Sequence, residues 1–186
     1  LSLHDALPIL EHVGFSYKKE VPLLKGLNLE VKPGQKIIGM YLLNEGNMGS
    51  NKSTLDYVDF SQGYYVRNLY AERNPHVIKE LGDVGNDIQI YGSRIYAVIN
   101  CSNKIEVLDA RTAHRIGQVN IPNVRYVRFH KGYAYATSYV GPVQLNNPDA
   151  VQGAVYKIDT LSLKPVAKCT VGFQPDELCV LGQYIY

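Results

Sequence analysis

Few residues in this chain are spaced for covalent chemistry. Five histidines, at 4, 12, 76, 114 and 130, are scattered, and no serine lies in a G-x-S-x-G elbow that would expose it as a nucleophile. Three cysteines, at 101, 169 and 179, match no metal-binding spacing and read as small buried hydrophobes. Gly82 to Asp87 carries an Asp pair without the ligand alternation of an EF-hand, so it reads as a turn. A phosphate loop, G-x-x-x-x-G-K-[ST], places backbone amides and a lysine around phosphate oxygens. Its nearest match here is Gly46 to Ser53, where Asn51 stands in place of the second glycine and the following Thr54 to Phe60 alternates like a strand. Neither ATP nor a metal is expected to bind, no cofactor is implied, and the chain is not read as an enzyme.

Amides, tyrosines and an arginine are better placed. Asn100, Asn103, Arg125, Tyr139, Gln144, Asn146 and Gln174 all fall in predicted turns, as do Asn47, Asn51, Arg73, Asn74, His76 and Asp176. Such groups donate and accept hydrogen bonds without a fixed charge, which suits a large polar ligand. Loops on a rigid scaffold are where binding concentrates, and Tyr139 to Gly153 is a long insertion.

The elements that carry these turns are short strands. Asp87 to Pro122 holds four alternating runs: Ile88 and Ile90, then Ile95, Ala97 and Ile99 with Tyr96 and Val98 opposite, then Ile105 and Val107, then Ile116, Val119 and Ile121. Period-two runs between turn clusters make an antiparallel meander. The meander recurs. Tyr133 to Thr137 aligns with Arg94 to Val98, and Ala154 to Thr160 with Lys104 to Ala110. Thr54 to Phe60 fits that second slot. Asp59, Asp109 and Asp159 stand 50 residues apart, each able to bond the next backbone amides in a turn. A four-stranded unit at this spacing is a β-propeller blade. The fold class expected is all-β: a partial propeller of about three four-stranded blades plus the start of another at Glu177, read as part of a longer protein. In a propeller the loops between second and third strands, and those between blades, share one rim, and that rim gathers the polar residues named above.

In detail, Tyr41 to Asn47, Thr54 to Asp59 and Tyr64 to Tyr70 read as strands of a first blade. Pro75 to Leu81 reads as one or two helical turns capped by Asn74. A net charge of +2 gives no push toward nucleic acid, and no run approaches the roughly 20 apolar residues of a membrane helix.

Val171 to Val180, with Gly182 and Tyr184 to Tyr186, resembles the G-x-x-P, apolar strand, turn, apolar-Tyr pattern of YncE or YVTN-type bacterial propellers; Ile121 to Val127 with Gly132 and Tyr135 is a looser copy. The run from Leu42 to Phe60 is similar to a branch of surface lipoproteins of gut Bacteroidetes, some associated with cobalamin uptake. That resemblance, over about 41–186, implies an exported binding protein at the cell surface or in the periplasm. Its ligand would be a corrinoid, or its partner an outer-membrane transporter. Within 1–186 no basic start and apolar core of a signal peptide is visible.

Two earlier segments read differently. Leu1 to Ile9 resembles an in-frame translation of a sequencing adapter and is set aside. Leu10 to Gly39, through Val13 to Tyr17, Leu24 to Val31 and Pro33 to Gly39, resembles the first strands of ABC-transporter ATPase domains. That implies an alternative reading as an ATP-binding subunit. The defective phosphate loop and the lack of a later acidic strand oppose it. A chimeric join near Gly39 is the expectation.

Overall fold

Three turns set the frame of the molecule, and each is built on one aspartate. Asp109 Oδ1 accepts hydrogen bonds from the backbone N–H of Arg111 and Thr112, both at 2.9 Å, and from Thr112 Oγ1 at 3.0 Å. Asp159 repeats the arrangement with Leu161, Ser162 and the Ser162 hydroxyl, and Asp59 with Ser61, Gln62 and the Ser61 hydroxyl. The carbonyl of each aspartate also accepts from the residue four positions on, Gly63, Ala113 or Leu163, and all three of those have positive φ. The expected 50-residue Asp turns are therefore real.

Those hydrogen bonds, chiefly from the Arg111 amide to Asp109, the Ser162 amide to Asp159 and the Ser61 hydroxyl to Asp59, hold all three carboxyls below their ordinary pKa near 3.8. The folded chain then binds fewer protons on them than the unfolded chain does, so their contribution is present above about pH 4 and is lost as pH falls through the lower folded values. An Asp109→Ala/Asp159→Ala variant should lose less stability than the wild type between pH 5 and pH 2 in urea titrations. Equal losses would remove these turns from the acid response.

The computed structural model describes residues 9–18, 21–30, 38–77, 80–143, 147 and 149–186, the first two spans as backbone alone. It divides into two compact units, 1–40 with 59–64, and 41–58 with 65–186. In the first, β1 (Ile9–Lys18) and β2 (Val21–Glu30) form an antiparallel hairpin. The proposed adapter segment up to Pro8, and 19–20 and 31–37 of the ATPase-like stretch, lie outside the described residues.

Among its described residues the second unit is all-β apart from one short helix, and it is a partial propeller. Strands β3 (Gly39–Asn44), β4 (Thr54–Asp59) and β5 (Tyr64–Val66) make a three-stranded sheet. Two complete four-stranded meanders follow. One is β6 (Gly85–Tyr91), β7 (Arg94–Ile99), β8 (Lys104–Asp109) and β9 (Arg115–Asn120). The other is β10 (Val124–His130), β11 (Tyr133–Ser138), β12 (Ala154–Asp159) and β13 (Lys164–Thr170). A final hairpin, β14 (Val180–Leu181) with β15 (Tyr184–Ile185), opens another blade.

A sheet buried on both faces needs apolar residues at successive positions, and β7 supplies them. Ile95, Ala97 and Ile99 join Leu55, Tyr70, Leu81 and Leu108 in one core. Tyr96 and Val98 join Ile105, Val107, Val119, Ile121 and the third-blade residues Val124, Val127, Ala134, Ala136 and Ile158 in the next. Each core thus lies between two blades. Polar ties accompany the packing: Tyr91 Oη accepts from the Gly132 N–H at 2.9 Å, and Asp87 Oδ2 accepts from the Val127 N–H and Arg128 Nη1 at 2.9 and 2.8 Å.

The register carries one feature that alternation does not predict. In β8–β9, Val107 faces Gly117 but Leu108 faces Arg115, so Ile116 is skipped. In β12–β13, Lys157 faces Ala167 but Ile158 faces Pro165, so Val166 is skipped. These bulges expose Ile116 and Val166, and Ile116 does not join Val119 and Ile121 on the core face as expected. Ile90, likewise, is exposed near the end of β6 while Ile88 packs inward.

Several local expectations are corrected. Helix α1 is Leu69–Arg73, starting six residues before the expected one, and Asn74 ends it rather than starting it; 78 and 79 of the expected helix lie outside the described residues. Leu69 and Tyr70 are buried, which draws that segment into helix and stops the expected strand at Val66. Asn74 follows α1 because its side chain bridges two elements: Nδ2 donates to the Tyr70 and Ala113 carbonyls at 2.8 and 3.0 Å, and Oδ1 accepts from the Arg115 N–H at 2.7 Å. The first strand ends at Asn44, because the next residues form the turn closed by the Ser50 N–H to Asn47 carbonyl bond. Cys169 and Cys179 are exposed and Cys101 half-buried, not buried hydrophobes, since β13 is the outer strand of its blade; all three are free thiols.

Candidate binding rim

The residue-rich rim begins at bulges in β10 and β6, the first strands of two successive blades. Val124 faces Ser138 and Val127 faces Ala136, so the two residues between them are set against Thr137 alone. Val124 and Val127 are both fully buried. Arg125 and Tyr126 are pushed out of the alternation, and the Tyr126 N–H is taken up by Thr137 Oγ1 at 3.1 Å. In β6 the same irregularity lies between Gly85 and Asp87, leaving Asn86 in the bulge. A residue of positive φ precedes each: Val84 before Gly85, Asn123 before Val124 and Gln174 before Pro175. Asn86, Arg125 and Asp176 are thus equivalent positions of successive blades.

They touch in series. Asn86 Nδ2 donates to the Arg125 carbonyl at 2.6 Å, and Arg125 Nε donates to Asp176 Oδ1 at 3.2 Å. Tyr139, at the end of β11, donates its hydroxyl to the same Asp176 oxygen at 2.7 Å. The Arg125 guanidinium lies 4.9 Å from the Tyr139 ring centre and 6.0 Å from that of Tyr126, within cation–π range. Among the described residues its two Nη atoms make no hydrogen bond, and the side chain is 22% exposed. Burial first, then the bond to Asp176, raises the Tyr139 pKa, so the phenol stays a donor at neutral pH. The nearby Cys101 thiol is also pushed up by burial, with Asp83 adding to the rise and Arg125 opposing it. It is held as a thiol, the weaker nucleophile.

The expected rim residues separate into groups. Arg125 and Tyr139 meet through Asp176, and Gln174 lies two residues before Asp176 in the same exposed loop. Asn103 lies apart from this cluster, its Oδ1 accepting from the Asn123 N–H at 2.7 Å. Asn100 is buried, with Nδ2 donating to the Val124 carbonyl at 2.8 Å, so it ties two blades together. Gln144 and Asn146 lie outside the described residues. Asn86 is the participant that residue type alone did not single out; the signal for it was its place just after a turn cluster, as at Arg125.

Among the described residues no three His, Cys, Asp or Glu side chains converge as a metal site, and no helix is long and apolar enough to cross a membrane. The stretch from Gly46 to Ser53 leads into β4, not a helix, and Lys52 pairs with Glu80 at 3.0 Å.

No protein-family model matches the chain, and no curated protein does. Solved structures do. The chain is similar to hydrazine synthase of Kuenenia stuttgartiensis at 17% identity and a TM-score of 0.53, over 76% of this chain and 36% of that one. It is similar to a europium-containing methanol dehydrogenase at 13% identity and a TM-score of 0.52, over 87% of this chain and 27% of that one. Both neighbours are propeller-like. The fold is a propeller fold. This chain spans about a third of the first neighbour and about a quarter of the second, and the likeness concerns the fold alone.

Proposed function

We propose that this chain is part of a non-enzymatic binding propeller, with its ligand site on the rim centred on Arg125, Tyr139 and Asp176. The observation that carries this reading is the row of Asn86, Arg125 and Asp176, each two residues after a residue of positive φ and joined by hydrogen bonds across successive blades. A preorganised row of amide, guanidinium and phenol groups offers donors and flat aromatic contact to a broad ligand with amide side chains. The resemblance of the run from Leu42 to Phe60 to surface lipoproteins of gut Bacteroidetes suggests the ligand class, a corrinoid, and an exported surface or periplasmic setting with an outer-membrane transporter as partner. ATP and nucleic acid are not part of this reading. Residues 10–39 are read as an ATPase-like stretch joined to the propeller near Gly39, and single sequencing reads spanning that position would test the join.

Calorimetry with cyanocobalamin tests the site. The chain should bind it saturably. Arg125→Ala should weaken binding roughly tenfold or more, equivalent to about 1.4 kcal/mol. Cutting Tyr139–Gly153 to a two-residue turn should also weaken it while the circular dichroism spectrum is retained. Full affinity in a folded Arg125→Ala protein would move the site elsewhere, and absence of binding would end the corrinoid reading.

A further inference from the structure

Arg125 is held from several sides. Its carbonyl accepts from Asn86 Nδ2 at 2.6 Å, its Nε donates to Asp176 Oδ1 at 3.2 Å, and the rings of Tyr139 and Tyr126 lie 4.9 and 6.0 Å from the guanidinium carbon. A planar guanidinium fixed at Nε and against rings keeps its outer N–H groups in one plane and one direction. Those outer groups, on the two Nη atoms, make no hydrogen bond among the described residues. The charge around them is already balanced. Asp176 is bonded to Arg125 directly, and a second carboxylate, Asp83, stands close enough to act together with Arg125 on the Cys101 thiol. Tyr139 donates its hydroxyl to Asp176 and brings no charge. One guanidinium thus faces two carboxylates. An incoming anion would gain the attraction of Arg125 but meet the repulsion of Asp176 beside it, and it would lose a hydration shell that costs far more to strip than that of an amide. A neutral carbonyl oxygen takes the same N–H donors without that repulsion. The charge on Asp176 has this effect whatever else its second oxygen bonds.

We propose that the two Nη groups of Arg125 read the carbonyl oxygen of a neutral carboxamide on the ligand and reject a carboxylate in the same place, with Asp176 as the residue that sets this preference. The inference rests on the rim reading above, in which the ligand is a corrinoid with amide side chains. It adds which substituent the arginine recognises and why an arginine site should disfavour an acid. Asparagine at 176 would keep an oxygen able to accept from Arg125 Nε and from the Tyr139 hydroxyl while removing the charge, so position and charge can be separated by one substitution.

The probes are cyanocobalamin and its monocarboxylic acids, in each of which one peripheral amide has become a carboxylate, titrated one at a time by calorimetry at pH 7 into the 186-residue chain. The acid altered at the amide seated on Arg125 should bind roughly tenfold or more weaker than cyanocobalamin. In Asp176→Asn that gap should shrink to about threefold or less, because the repelling charge is gone. Asp176 is 57% exposed, so the substitution leaves the core untouched, and the circular dichroism spectrum checks the fold. Acids that all bind as tightly as cyanocobalamin overturn the inference and leave the corrinoid reading standing. A gap that Asp176→Asn does not change overturns it too, since the charge would not be the cause. If cyanocobalamin itself does not bind, the corrinoid reading and this inference fall together.

Discussion

Replacing Tyr96 by Ala should lower the unfolding free energy by about 3–5 kcal/mol, the range for removing a large aromatic from a core. Tyr96 is 1% exposed and sits where two blades meet. Its ring centre is 4.6 Å from that of Phe129, which in turn stacks on Tyr91 at 4.7 Å, so the three rings bridge the interface. Truncation removes a ring that both blades use, and a close-packed sheet interface has little freedom to collapse around the gap. Tyr96→Phe should behave differently. The hydroxyl is buried without a partner in hydrogen-bond geometry, although Arg94 lies beside it. Losing an unsatisfied hydroxyl should change stability by less than about 1 kcal/mol in either direction. Urea titrations of both variants would decide, and a Phe substitution as damaging as Ala would show that the hydroxyl, not the ring, holds the interface.

The second large effect concerns charge. Glu106 is fully buried, with Oε2 2.7 Å from Lys104 Nζ and Oε1 2.5 Å from Arg115 Nε. Arg115 is itself fixed by Asn74 at its backbone and by Gln118 Oε1 at 2.9 Å. Burial, and then the charge of Glu106, drive the neighbouring Tyr70 phenol far above its usual pKa, so it stays protonated. Arg115→Ala would leave a buried carboxylate with one partner where it had two, at a cost of about 3 kcal/mol or somewhat more. Replacing the whole trio by Met or Leu should be close to neutral, since the desolvation of three charges disappears with their attraction. The third blade already uses the apolar solution: Tyr156 stands in the place of Glu106. A triple variant much weaker than Arg115→Ala would refute this account.

How far the sequence could be read depended on whether a residue's role was local. The Asp turns were legible because acceptor and donors lie within three residues of each other. The second blade was legible because β7 is apolar on both faces. Asn74 was misread because an amide can cap either end of a helix, and only the distant Ala113 and Arg115 decide which. Asn100 reads as a loop amide until the Val124 carbonyl, contributed by the next blade, takes its hydrogen. Of the rim, Arg125 and Tyr139 were foreseeable as exposed polar residues, but their meeting at Asp176 depends on contacts 51 and 37 residues apart, set by how blades stack.

The skipped residues Ile116 and Val166 bear on how such a repeat can change over time. Upstream, the Asp turn dictates which way each side chain points; downstream, the core residues at 119 and 121 dictate it again, and the two demands are out of phase by one residue. The extra residue absorbs the difference. A strand with such a phase shifter can accept a new turn of odd length on one side without inverting the apolar face on the other. Lineages carrying it are therefore free to vary the length of the outer turns of their blades while the stacked interior keeps its spelling.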